Sequence, residues 1–275
     1  MYPERLEDAR RAYFFEKEYF GEKFKFVHAY LHTDCRYKMH SHQFYEINII
    51  AKGQGRHYIE GASMNTKAGD VFVIPPEVRH GFWGEEPLDI YIILIKSEFL
   101  ERYAEEISEL EGFHILFDIE PQIRRASGKH YNLNLGYQEF DGVKLNLKNM
   151  IAAQAEGRFV YENAILLILL CRLCAKISGG DTLSGEKVEL LSVMEYIKNN
   201  LDQKLTLSSL SKLANMSTAT LNRRFRETIG LSPMSYVTKK RIEKARELID
   251  EGKKNRAEIA QQCGFYDASH MNKYL

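Results

Sequence analysis

The sequence is short of several features, and each shortage excludes a class of protein. Its 275 residues hold four cysteines, Cys35, Cys171, Cys174 and Cys263. In a chain of this length they form no disulfide framework. The longest apolar run, Ala164 to Cys171, ends at Arg172. It falls well short of the roughly 20 residues that cross a bilayer. The first residues, MYPERLEDARRAYFFEKEYF, are charged and lack an apolar core, so they do not read as a secretory signal. Net charge is missing too, with 38 Lys+Arg against 38 Asp+Glu. The expectation is a cytoplasmic protein without a membrane partner.

What is present suffices to fold. Hydrophobic residues make up 44% and aromatics 12%, enough for proper cores. The length suggests roughly two domains. The most linker-like stretch is SGGDTLSG, Ser178–Gly185. Beyond it, residues 186–275 hold 16 Lys+Arg and 11 Asp+Glu. The tail is therefore basic by five charges, and the body before it acidic by five. Such a split suggests that only the tail meets a polyanion.

The two halves also differ in pattern. Residues 24–95 carry short β-rich runs, Glu46–Ile50, Arg56–Ile59, Asp70–Ile74 and Ile90–Ile95, parted by the turns KGQG, EGAS, KAGD and PPE. Short strands with frequent turns predict a β-sandwich or barrel. Residues 97–111 predict a helix capped by Ser97, and 141–155 and 158–178 two more. The last of these is apolar on more than one face, which suits a subunit interface. Cys171 and Cys174 form a C-x-x-C inside it, where buried packing is the expected role. The tail predicts helices at 188–201, 206–214, 218–229, 233–251 and 256–263, with another starting near Ala268.

The tail also repeats itself. Leu210–Phe225 (LSKLANMSTATLNRRF) and Ile259–Leu275 (IAQQCGFYDASHMNKYL) each give a short helix, a turn carrying Asn215 or Gly264, a polar start and a second helix. Asn and Gly tolerate the left-handed conformation that a tight interhelix turn needs. Leu210, Leu213, Leu221 and Phe225 are expected to close a small core, leaving Asn222, Arg223 and Arg226 on another face. This is helix-turn-helix logic, in which the second helix enters a major groove of double-stranded DNA. Arg suits guanine and Asn suits adenine there. The helix beginning at Ser232-Pro233 would hold the two motifs at a fixed separation. A plain helical bundle with solvated Arg and Lys is the bland alternative.

The tail resembles the AraC/XylS family of transcription activators, through Leu210-Ser211, Met216-Ser217, Leu221-Asn222-Arg223-Arg224-Phe225 and Gly230-Leu231-Ser232-Pro233. Ile259-Ala260, Gly264-Phe265, Asp267 and Ser269 match in the second motif. Ser211 replaces the usual Ala, and His270-Met271 stand where two aromatics are usual. The resemblance implies that Ala219, Asn222 and Arg223, then Ala268, Ser269, Asn272 and Lys273, face bases, with Arg226 on phosphate. It also implies RNA polymerase as a partner. The family pattern runs on past Leu275, so the second motif is expected to be incomplete and prone to fray.

In the amino-terminal half, His40-Ser41-His42-Gln43-Phe44-Tyr45-Glu46 is followed by Gly53. Later come Gly69, Pro75 and His80. Residues i and i+2 of a strand share a face, so His40, His42 and Glu46 point one way, with His80 arriving from a facing strand. The two runs resemble the cupin motifs, departing at Glu77 (usually Gly) and Gly84 (usually Asn). Three imidazoles and a carboxylate suit Zn, Ni, Mn or Fe(II). No cofactor is required, because the same side chains also serve as hydrogen-bonded wall residues. Arg56, Tyr58, Trp83 and Tyr91 are the expected walls of a pocket in the barrel mouth. They suit a sugar or polyol effector without excluding a small acid. His28, His32, His57, His114, His130 and His270 show no paired spacing.

The expected fold class is α+β in two domains. An N-terminal cupin-like β-barrel with flanking helices precedes a C-terminal all-α double helix-turn-helix, truncated at its end. Residues 1–20 form an arm, 21–96 the barrel, 97–178 a helical dimerisation region, 179–186 a linker and 187–275 the DNA-binding domain. The function expected is a ligand-responsive, sequence-specific transcription regulator, an activator working as a homodimer, and not an enzyme. The rival is a metal-dependent cupin enzyme with an accessory helical tail.

Overall fold

The computed structural model describes residues 12–21, 25–36, 38–60, 62–84, 86–110, 112–127, 133–178, 185–250, 252 and 254–275. Residues 1–11 of the expected arm and 179–184 of the expected linker lie outside them. The chain divides into two units, residues 1–183 and 184–275.

The first unit is built from short strands whose alternation sorts side chains between two faces. In order they are β1 (Ala12–Phe14), β2 (Val27–Cys35), β3 (His40–His42), β4 (Tyr45–Lys52), β5 (Gln54–Ile59), β6 (Ala62–Lys67), β7 (Asp70–Ile74), β8 (His80–Trp83), β9 (Leu88–Ile95) and β10 (Leu133–Asn134). A one-turn helix, α1 (Glu16–Tyr19), follows β1. The strands form two five-stranded sheets, ordered β1-β3-β8-β5-β6 and β10-β7-β4-β9-β2. β1 pairs parallel to β3, placing Ala12 opposite His40 and Phe14 opposite His42.

The sheets share one core. Ile59 and Phe82 of the first pack with Ile50, Phe72, Ile74, Ile90, Ile92 and Leu94 of the second. This fixes which parity points inward: even numbers on β4, β7, β8 and β9, odd numbers on β5. β4 and β9 are buried on both faces. Two helices, α5 (Tyr137–Ala155) and α6 (Phe159–Ser178), pack on β2 of the same sheet. Gln154 of α5 accepts a hydrogen bond from the Ala29 backbone on β2 at 2.8 Å. The helix expected at 97–111 is broken at Tyr103 into α2 (Ser97–Arg102) and α3 (Ala104–Ser108). Lys96, not Ser97, holds the cap position, and it makes no side-chain capping bond. A π-helical turn, Ile115–Ile119, then leads into α4 (Glu120–Ser127).

The second unit is all helix: α7 (Gly185–Asn199), α8 (Leu207–Leu213), α9 (Thr218–Ile229), α10 (Pro233–Asp250), α11 (Arg256–Gln262) and α12 (Ala268–Asn272). No helix among the described residues is long and apolar enough to cross a membrane.

Candidate ligand centre and nucleic-acid interface

Strand parity carries His40, His42, Glu46 and His80 into the space between the sheets. All four are buried. One candidate ligand atom from each lies within 4.8 Å of all the others. β3 supplies the first two, β4 the third and β8 the fourth, with His40 directly opposite His80 in the ladder.

The backbone orients all three imidazoles. Nδ1 of His40 lies 2.8 Å from the Lys38 carbonyl. Nδ1 of His42 lies 2.7 Å from that of Phe44, and Nδ1 of His80 lies 3.1 Å from that of Val78. A carbonyl only accepts, so each Nδ1 donates its proton. In the neutral ring, Nε2 then carries the lone pair. Nε2 of His42 sits 3.1 Å from one Glu46 oxygen, and Nε2 of His80 sits 3.5 Å from the other. Neither nitrogen has another hydrogen-bond partner. Acceptor facing acceptor in a dry interior is unfavourable unless a positive charge lies between them. Either protons on the imidazoles or a cation completes the centre.

Electrostatics agree with this. Burial pushes the Glu46 carboxyl up, but the hydrogen bonds and charge of His42 and His80 outweigh it and hold the group well below its usual range. Burial, then the neighbouring His80, pushes His40 down to about 3, so that ring is neutral. The donor set fits a divalent transition metal: three imidazole Nε2 atoms, one carboxylate, and each ring fixed through its far nitrogen. A narrow cavity opens beside the centre. It is lined by Phe14, Tyr19, Tyr30 and Phe44 with His40 and Glu46, and it admits about one water molecule. Phe14 also packs on His40, with ring centres 5.2 Å apart. The Glu77 position, where cupin motifs usually carry Gly, has φ 65°, the conformation that favours Gly. Its carboxylate accepts a hydrogen bond from the Tyr13 hydroxyl.

Of the four residues expected to wall a pocket, Arg56, Tyr58 and Trp83 share one face of the first sheet, and Tyr91 lies apart in the second. Arg56 is exposed and donates to the Ser63 hydroxyl at 2.6 Å. Tyr58 packs with Met39 and Trp83 in a separate small cluster, on the β5 face opposite to His57 and Ile59. Tyr91 lies on the face of β9 opposite to Ile90 and Ile92. Selection by residue type ignored strand parity, and parity places all four outside the sheet interior. His57, which sequence spacing passed over, is fully buried inside. Its ring lies 4.6 Å from Phe72 and stacks on Phe82 at 4.4 Å. Asn48 and Arg124, also missed, are buried polar residues on the same side as Phe72.

In the second unit the two motifs fold as α8-turn-α9 and α11-turn-α12. The turn residues Asn215 and Gly264 have φ 49° and 72°. Ser217 caps α9 by accepting from the Thr220 N–H at 3.1 Å. Asp267 caps α12 by accepting from the His270 N–H at 2.7 Å. Leu210, Leu221 and Phe225 are buried, but Leu213 is 44% exposed. It sits at the last position of α8 and turns away from the core. In the second motif Ile259, Ala260, Cys263, Phe265 and Met271 form the core. Ala219, Arg223, Arg226, Ser269, Asn272 and Lys273 are exposed, and Asn222 and Ala268 half-buried. Glu227 holds Arg223 through Nη1 at 3.0 and 3.1 Å. Arg256 donates to the Asn272 side-chain oxygen at 3.4 Å.

A buried His/Glu cluster in one unit and two helix-turn-helix motifs in the other fit a ligand-responsive, DNA-binding transcription regulator. The chain belongs to the AraC family. Residues 26–137 match the AraC-like ligand binding domain, and residues 210–275 match a helix-turn-helix domain. It is 23% identical over 235 residues to the HTH-type transcriptional activator RhaS of Klebsiella pneumoniae (strain 342), covering 85% of this chain and 81% of that protein. The RhaS of Escherichia coli O6:H1 is 24% identical over the same extent. Among solved structures, the C-terminal domain of the two-component response regulator yesN from Fusobacterium nucleatum is 30% identical. That match covers 33% of this chain and 92% of that one, with a TM-score of 0.30.

Proposed function

We propose that this regulator reads its effector between the two sheets, at the Glu46 centre. The observation that carries the reading is the pair of imidazole Nε2 atoms turned onto the buried Glu46 carboxylate with no other partner. His40, His42, Glu46 and His80 hold a divalent transition metal, Zn, Ni, Mn or Fe(II). Such an ion supplies the missing positive charge and offers open positions to ligand oxygens. The centre binds and senses; it is not an enzyme active site.

On the DNA side, Ala219, Asn222 and Arg223 read one major groove, and Ala268, Ser269, Asn272 and Lys273 the next. Arg226 meets phosphate. The protein acts in the cytoplasm as a homodimeric activator that meets RNA polymerase. Dimerisation is supported by α6, which exposes Val160, Tyr161 and Ile168 on one side, an apolar stripe of the kind that marks an interface. Effector binding shifts the population of two arrangements through its different affinity for each.

The test begins with operator sequences selected from random DNA by the full chain. Footprinting follows, with each metal added and then chelated. The expected result is one metal per chain, lost in Glu46→Ala, and a footprint that changes with metal. Arg223→Ala is expected to lower discrimination at one base pair by roughly 1–3 kcal/mol. A base preference unchanged by Arg223→Ala removes its assigned role. Steady turnover of a small molecule by the metal-loaded protein revives the cupin enzyme.

A further inference from the structure

We propose that the interior takes a small organic anion, its carboxylate held by Arg124 and Asn48. This rests on reading the sheet interior as the effector site. Asn48 lies on β4 opposite Phe72 of β7 and Ile92 of β9, both members of the shared core. It is fully buried, and neither atom of its amide has a hydrogen-bond partner. Arg124 of α4 is fully buried as well. Its Nη2 donates to the Val73 carbonyl and lies 3.2 Å from Glu120. Its Nε and Nη1 have no partner. The guanidinium lies 5.4 Å from the centre of the Phe72 ring. Phe72 is thus the common neighbour of Asn48, His57 and Arg124.

Buried polar groups in native proteins are nearly always paired, because each unpaired one is costly. A structural role for Arg124 accounts for part of the pattern: Nη2 satisfies a strand carbonyl, and Glu120 offsets charge. It leaves Nε, Nη1 and the Asn48 amide unexplained. These unmet atoms are mostly N–H donors, and a carboxylate is an acceptor only. Hydrogen bonds between guanidinium and carboxylate are among the strong ones. Ile92, the strand neighbour of Asn48, also lines the cavity beside Glu46. The far end of the anion therefore faces the histidine centre. Such a molecule is larger than the void present, so its entry displaces interior side chains. That differential fit is what a sensor needs.

Matched acids and neutral partners test this on the full chain: lactate with propylene glycol, gluconate with glucose, benzoate with benzyl alcohol. The thermal unfolding midpoint is the readout, and sodium sulfate is the control. At least one acid is expected to raise the midpoint saturably while its neutral partner does not. Arg124→Lys keeps a charge beside Glu120 but removes the Nε and Nη1 donors. It is expected to weaken that acid at least tenfold, as is the near-isosteric Asn48→Asp. Equal binding by both variants overturns the assignment, as does a sulfate shift matching the acids. Neutral members that bind wild type and Arg124→Lys alike overturn the anion and leave the interior effector site standing. No response to any compound, together with metal-independent footprints, overturns both readings.

Discussion

The two units put their polar chemistry in opposite places. The first buries it: His40, His42, Glu46, Asn48, His57, His80, Glu120, Arg124 and Glu162 are all nearly inaccessible. In the second unit, the buried polar side chains among the described residues are Ser211 and Lys240, and the candidate DNA-reading groups face outward. A buried polar group is expensive to charge and sensitive to its neighbours. An exposed one is neither, so the second unit's vulnerability lies in backbone geometry. Stability of the first unit should therefore depend on charge, and that of the second on the conformation of its turns.

Gly264→Ala is the largest expected effect. A Cβ there would collide with the Leu201 carbonyl oxygen and lie 2.7 Å from Nη2 of Arg241, at a φ of +72°. A loss of roughly 3 kcal/mol or more is expected, read by chemical denaturation of the full chain. An unchanged midpoint would break the claim that turn geometry limits this unit.

Next comes Glu162→Gln in the first unit. Glu162 is fully buried, and neither carboxylate oxygen has a hydrogen-bond partner. Burial, partly countered by Lys25, pushes it up to about 7. The folded state holds this proton more tightly than the unfolded chain does. Its stabilising effect is thus complete below the ordinary carboxylate range and is lost as pH rises to 7. Gln mimics the protonated form, so the variant should match wild type at pH 4. It should be more stable by about 2 kcal/mol at pH 8. Equal pH profiles would show that this buried carboxyl does not titrate as its surroundings dictate.

The smallest effect sharpens the same contrast within the second unit. Asn215 occupies the left-handed turn of the first motif with a side chain that tolerates it. Asn215→Gly should stay within a few tenths of a kcal/mol of wild type, since relief of strain offsets added chain entropy. Asn215→Ala should cost about 1 kcal/mol. A glycine variant as damaged as the alanine one would show that the Asn side chain, not the backbone, holds that turn.

Legibility in the sequence followed the same divide. In the second unit the repeat, the two turn residues and the helix starts at Thr218, Pro233 and Arg256 are local signals, and the structure places them as read. Leu213 was misplaced because helical spacing alone does not show which face a terminal residue presents. In the first unit His40, His42 and Glu46 were legible because i, i+2 parity needs no knowledge of the partner strand. The side on which Arg56, Tyr58, Trp83 and Tyr91 lie was not legible, because aromatic and charged character says nothing about side. His57 shares parity with Ile59, a signal that was present and unused. Arg124 follows a π-helical turn in a stretch with no clear periodicity, and the groups it meets, Phe72 and the Val73 carbonyl on β7, are distant in sequence.

The burial of β4 and β9 on both faces carries a further consequence. Ile47, Ile49, Ile93 and Ile95 are as inaccessible as Ile50, Ile90 and Ile92, so greasiness cannot tell one alignment of these strands from the alignment shifted by one residue. The polar side chains can. A single residue inserted before Tyr45 would keep every isoleucine covered while carrying Glu46 and Asn48 out of the interior, away from their histidine neighbours. The buried polar groups thus act as the lock that sets how the sheet is threaded.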